Sequence, residues 1–245
     1  AWRDRIIWAS SAAASRMVLL AAAAAIMALS LVMTMSRSGI GAMTLAVAIT
    51  TLVALTRQRT KARKTVAAGY LVVVVVAVFA WVGVDSISTR FSKADWSEVN
   101  GRLGPWSDAL AIASRFPLGG TGLNTYGVAT LFYQKHDLAS HYREAHSDYL
   151  QLLAEGGALL IIPAIVCVGA FVALVRRRFK EEDSGSSYWL RVGAVTGIAA
   201  IALQETVEFS LQMPGNAVLF SVLCGIAIHQ APPRDRPVRT APARS

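Results

Sequence analysis

The stretch GALLIIPAIVCVGAFVALV at residues 157–175, followed at once by Arg176-Arg177-Arg178-Phe179-Lys180, decides the fold class. No residue within it carries a charge. As a helix it rises about 28 Å, and a bilayer's hydrocarbon core is about 30 Å thick. The basic cluster at its end marks the cytoplasmic side, where Lys and Arg are retained. Outward from this stretch the pattern repeats. Apolar runs at 17–35, 38–56, 66–84, 191–208 and 214–230 bring the expected number of spans to about six. The run at 191–208 is the weakest, free of charge only over 192–204.

Composition agrees with a membrane chain. Of 245 residues, 54% are hydrophobic and 16% charged, and the mean hydropathy is +0.47. A soluble domain carries about 25% charged residues, so a soluble enzyme and a disordered chain are both disfavoured. The net charge of +9 follows from topology. Basic clusters at 57–64, 176–180 and 234–244 share the cytoplasmic face only if the span number is even. Cytoplasmic segments then carry net +12 and outer segments net −3. Nucleic acid is not needed as a partner to explain the basicity. Cys167 and Cys224 lie inside apolar runs without metal-ligand spacing, and read as small buried hydrophobes.

The expected architecture is an all-α membrane protein of about six transmembrane helices with one long extracytoplasmic loop containing short amphipathic helices. Residues 1–230 form a single polytopic domain, and the Pro/Arg/Ala-rich tail 231–245 is expected to be disordered and cytoplasmic. The segment Arg3 to Arg16 leads into a span without the form of a signal peptide. Removal of an initiating Met and truncation of a longer membrane protein are both compatible with this start.

The outer loop 85–156 is too long to be a connector. It carries His136, His141 and His146, three of the four histidines. From Arg102 a helical pattern places Trp106, Leu110, Ala113 and Phe116 on one stripe, with Ser107, Asp108 and Ser114 off it, until Pro117 stops it. Leu118-Gly119-Gly120-Thr121-Gly122 reads as a tight turn; a phosphate cradle is the alternative, though no Walker lysine follows. A second helix is expected over 144–156, with His146, Leu150 and Leu153 on one face and Gly156-Gly157 as its stop.

Three further positions can carry chemistry. Arg37 sits in a hairpin between two spans, either snorkelling or facing a polar cavity and binding an anion. Glu205 and Glu208 are three residues apart at the outer end of a span, where they orient a His or Arg or mark the exit from the membrane. Arg143 and His141 precede His146 closely. No spacing is diagnostic of a metal.

Ser36-Arg37-Ser38-Gly39 after a span comes first, and Arg102…Trp106 follows. Then come Phe116-Pro117-Leu118-Gly119-Gly120-Thr121-Gly122-Leu123-Asn124-Thr125-Tyr126, His146-Ser147-Asp148-Tyr149-Leu150-Gln151 and Glu155-Gly156. In this order they resemble the O-antigen ligase/polymerase superfamily of bacterial envelope glycosyltransferases, over residues 30–175. The resemblance implies a C-terminal catalytic half within a protein of ten to twelve spans in the bacterial cytoplasmic membrane, with its site on the outer face. It implies glycan transfer from an undecaprenyl-pyrophosphate-linked donor to a lipid or glycan acceptor hydroxyl, with inversion. Arg37 and Arg102 match the family's arginines and would meet the pyrophosphate. His146 matches its histidine and would be general base. Arg143 and His141 would add substrate contacts, as would Glu205 and Glu208, and no cofactor or metal is demanded. Ligase, polymerase and protein O-glycosylation stay open. A transporter or channel subunit, with Arg37, Glu205 and Glu208 lining a path, and a non-catalytic membrane scaffold are the alternatives.

Overall fold

The structure is a computed structural model that describes residues 11–33, 37–57, 97–136, 138–181 and 185–230. The expected span 66–84, most of the first basic cluster and the tail 231–245 lie outside the described residues. Among the described residues all regular structure is helical. The helices are α1 Ala12–Met33, α2 Arg37–Arg57, α3 Ser97–Arg115, α4 Tyr126–Tyr133, α5 Asp148–Glu181, α6 Ser186–Gln204 and α7 Pro214–Ile228, with a 3-10 turn at Ser210–Gln212 before α7.

Three of these, α1, α5 and α6, are long and apolar enough to cross a membrane. Two shorter apolar stretches, Gly39–Val53 in α2 and Pro214–Ile228, accompany them. Their outward faces are oily. Val18, Leu19 and Leu20 in α1, Ile162, Ile165 and Val166 in α5, and Val218, Leu219 and Val222 in α7 are each more than half exposed. Water would not tolerate such a continuous apolar surface; lipid does. The chain is an integral membrane protein.

Hydrogen bonds at the two ends of α6 give the polarity of the bundle. Near its start, Arg191 donates to the carbonyls of Arg178 at the end of α5 and of Ala227 and His229 at the end of α7. Beyond its far end, the backbone carbonyls of Glu205 and Glu208 accept from the N–H of Asp148, the first residue of α5. So α6 runs antiparallel to both α5 and α7. Arg191 is 2% exposed, with its guanidinium over the Phe179 ring at 5.6 Å. It supplies donors to helix C-terminal carbonyls that have no partner within their own helices, and its charge suits the negative ends of those helices. α2 packs on α6, where Thr50 Oγ1 meets Thr196 Oγ1 at 3.4 Å.

A smaller unit sits beside the start of α5. Its core is Ala109, Ile112, Tyr126, Ala129, Ala145 and Ala154, flanked by Phe116, Tyr133 and Leu150. α5 is broken at Gly157, with φ 55° and ψ −157°. The break frees backbone groups, and the turn at 117–122 takes them up. Thr121 and Gly122 donate to the carbonyls of Ala154 and Glu155, while Ala158 and Leu159 donate to those of Pro117 and Leu118. A side chain could not replace hydrogen at this crossing. A Cβ on Gly157 would lie 2.6 Å from the Leu118 oxygen, and one on Gly120 2.2 Å from the Glu155 carbonyl. The turn is thus a wedge in a broken helix. Its N–H groups at 120, 121 and 122 are engaged by Phe116, Ala154 and Glu155, so they cradle no phosphate.

Two expectations change in detail. α3 begins at Ser97, before Arg102, and runs through Pro105. Its buried face is Asp108, Ala109, Ile112 and Ala113, while Leu110 is 51% exposed. The helix is rolled because Asp108 is drawn inward, accepting from the N–H groups of Lys135 and His136 and pairing with His136 Nδ1 at 2.8 Å. The helix expected over 144–156 starts only at Asp148, so His146 precedes it and shares no helical face with Leu150.

Candidate functional site

His146 stands at the junction of the small unit and the bundle. Its backbone is left-handed, φ 52°, a conformation that costs a non-glycine residue about 1 kcal/mol or more and is kept only where neighbours hold it. Trp106, on α3, is one such neighbour: its indole N–H donates to the His146 carbonyl at 3.3 Å. Ser147, directly after it, is buried and donates to the Glu205 carbonyl. The imidazole is partly buried and sits edge-on to Phe209 at 5.3 Å and Tyr142 at 6.4 Å. Among the described residues neither ring nitrogen has a hydrogen-bond partner.

The segment 205–212, past the end of α6, builds the opposite wall. Glu205 is fully buried. Its carboxyl takes the N–H groups of Ser210 and Leu211 and a hydrogen bond from the Ser210 hydroxyl. Burial, and then the neighbouring Asp148 carboxyl, push Glu205 above the usual carboxylate range, against the opposing pull of Ser210 and Leu211. Asp148 closes the same turn, accepting from Leu211 N–H and Gln212 Nε2. Two carboxyls therefore shape one turn, and that turn displays Glu208 and Phe209. Glu208 Oε1 pairs with Arg102 at 3.1 Å. A small recess of about 60 Å³ opens beside the pair, lined by Gln204, Glu208, Phe209, Ser210 and Met213.

Consecutive residues thus hold two of the expected site residues, Arg102 through Glu208 and His146 through Phe209. Arg102 and Trp106 are one helical turn apart on α3, which brings both to this wall. His141 and Arg143 are exposed on the loop before His146, flanking the Tyr142 that meets the imidazole. Arg37 begins α2; its side chain lies outside the described residues. Glu208 faces Arg102, whereas Glu205 is occupied within the protein. Sequence reasoning missed Tyr142, Phe209, Ser210 and Gln212, none of which stands in a diagnostic spacing.

The O-antigen ligase family matches residues 22–165, more than half of the chain. The chain belongs to the O-antigen ligase family. The family region includes Arg37, Arg102, His141, Arg143 and His146, and stops before Glu205 and Glu208. The wall opposite His146 is therefore built by residues outside the matched region. Membership puts this protein among glycan-transferring membrane proteins, for which a lipid-linked glycan and an acceptor are the general partners. No curated protein and no solved structure matches the chain.

Another carboxylate in this O-antigen ligase family member organises the small unit. Glu155 is buried, and its carboxylate takes the N–H groups of Asn124 and Tyr126 at 2.7 and 2.9 Å and Gln151 Nε2 at 3.2 Å. It thereby caps α4 from outside that helix. Gln151 also accepts from the Ala145 N–H, so the chain running into His146 is tied to the same carboxylate.

Proposed function

We propose that this protein transfers a glycan from an undecaprenyl-pyrophosphate carrier to an acceptor hydroxyl at the outer face of the bacterial cytoplasmic membrane. It acts as an O-antigen ligase or a polysaccharide polymerase. The observation that carries the reading is the pairing of adjacent residues Glu208 and Phe209 with Arg102 and His146.

The chemistry follows from charge and proton flow. Departure of the pyrophosphate develops negative charge, which a guanidinium stabilises with two parallel donors. Arg102 is free to do this at small cost. Its pair with Glu208 is partly exposed, 35% and 27% at the two side chains, and such pairs are worth about 0–1 kcal/mol. Pyrophosphate displaces Glu208 from Arg102. His146, through the unprotonated nitrogen of its neutral imidazole, accepts the acceptor's proton as oxygen attacks the anomeric carbon. Attack opposite the leaving group inverts that carbon. Arg37 is the second pyrophosphate ligand. From Arg37 to Thr50 is about 20 Å along α2, and from Thr196 to Glu205 about 14 Å along α6. With α2 antiparallel to α6, as an outer hairpin requires, Arg37 comes to the Glu205 end. Arg143 and His141, exposed beside Tyr142, contact the acceptor or the phosphates.

The test is complementation of a deletion strain with wild type, His146→Ala and Arg102→Ala, sizing carrier-linked and surface-attached glycan separately. Loss of surface glycan at normal protein level is the expected result for both variants. Long polymer left on the carrier then identifies a ligase, and single repeats a polymerase. Full rescue by both variants sinks the transferase reading and leaves a transporter or scaffold.

A further inference from the structure

The segment 116–134 has no place in the chemistry above, yet its composition is unusual for a loop in water. It runs from Phe116 to Gln134 without a charge, with Arg115 and Lys135 immediately outside it. As one straight helix that run would be long enough to cross a bilayer, but it is folded into the turn at 117–122 and the eight-residue α4. α4 is also inverted relative to a helix in water. Tyr126, Ala129 and Thr130 are buried, with the Thr130 hydroxyl bonded to the Gly127 and Tyr142 carbonyls. Val128, Leu131 and Phe132 point outward at 58%, 67% and 77% exposure. Water would select the opposite arrangement.

The outward apolar surface continues into the lipid-facing side of a span. Leu159 N–H donates to the Leu118 carbonyl at 2.9 Å, which sets Leu118 beside Leu159, and both are more than 70% exposed. Leu123, exposed on the same loop, bridges towards α4. Much of the irregular backbone is also satisfied within the protein, although the N–H groups of Leu118, Gly119, Leu123 and Thr125 donate to no oxygen among the described residues. The N–H groups of 120, 121, 122, 124 and 126 all donate to protein oxygens, four of them to Ala154 or Glu155. Backbone at membrane depth must be satisfied within the protein, so the four remaining N–H groups belong in the polar headgroup layer. Arg115, over the Tyr133 ring at 5.1 Å, and Lys135 stand at the segment's ends, as cations do at headgroup level.

We propose that residues 116–134 enter the bilayer interface as a shallow re-entrant element, with Leu118, Leu123, Leu131 and Phe132 at the top of the acyl chains of the leaflet at the Asp148 end of α5. Arg115 and Lys135 pair with phospholipid phosphates there. The proposal is independent of the reaction that the site performs.

Spin labels on single cysteines test it in the complete gene product, in vesicles of phosphatidylethanolamine and phosphatidylglycerol, with Cys167 and Cys224 replaced by Ala. Labels replace Leu118, Leu123 and Phe132. Leu159 serves as the lipid reference and Ala139, exposed on the loop, as the water reference. The expected result is oxygen accessibility matching that at 159, with nickel-chelate accessibility severalfold below that at 139. The labels should lie about 5–10 Å below the phosphates, the depth of an interfacial element. Nickel accessibility equal to that at 139 overturns the proposal in favour of a water-exposed loop. Low accessibility to both reagents overturns it in favour of cover by protein.

Discussion

His146 combines two demands that can be separated by substitution. Its left-handed backbone is tolerated by Asn better than by Ala, and its imidazole is what the proposed chemistry uses. His146→Asn should keep the folded stability of the wild type, whereas His146→Ala should lose about 1 kcal/mol. Both should lower transfer by about 100-fold or more, the usual share of a general base. Thermal unfolding in detergent beside an in vitro transfer assay checks both halves. Transfer near the wild-type rate by the Asn variant removes His146 from the proton path.

At the scale of the element, the join between α5 and the 117–122 turn is the least forgiving feature. Gly157→Ala would drive a methyl against the Leu118 oxygen at 2.6 Å and the Gly120 nitrogen at 2.7 Å, in a backbone conformation that disfavours any side chain. It should cost about 2–4 kcal/mol, the range of strained or overpacked sites, and denaturant unfolding in mixed micelles measures it. A variant as stable as wild type would show that the helix break is not held as described. The apolar content of α5 was legible in its sequence, and the Gly156-Gly157 stop fell at the observed break. What the break is for was not legible. Only the incoming turn, from a distant part of the chain, shows that the freed carbonyls have partners.

At the scale of the whole molecule, both ends of the α5–α6–α7 bundle are fastened by buried polar groups. Arg191→Met should leave the Arg178, Ala227 and His229 carbonyls without their donor and cost about 2–4 kcal/mol, read as a lowered unfolding temperature with the bundle otherwise intact. An unchanged unfolding temperature would mean that the clamp is ornamental. At the other end, Glu205 is held above its ordinary value of 4.5, first by burial and then by Asp148. Between the unfolded and folded pKa values the native state keeps a proton that the unfolded chain has lost. Stability from this group is therefore full below the unfolded value and declines as pH rises through the folded one. Glu205→Gln cannot ionise, so its unfolding temperature should gain on that of wild type as pH rises from the ordinary glutamate value of 4.5 through the raised folded one. A gap that stays constant over that range would assign Glu205 no titration in the fold.

Apolar runs ended by Arg clusters were sufficient to make this an integral, helical membrane protein, because length and hydropathy alone decide whether a helix can sit in hydrocarbon. The order of the short motifs around Arg37, Arg102 and His146 was sufficient to point to the O-antigen ligase family. The sequence could not show that Glu208 and Phe209 face Arg102 and His146, since both pairs join distant parts of the chain and no local periodicity records them. Nor could it tell that Asp108, Glu155 and Glu205 are buried. A carboxylate moves inward only when backbone donors from distant segments arrive to meet it, and their arrival is a property of the tertiary structure alone.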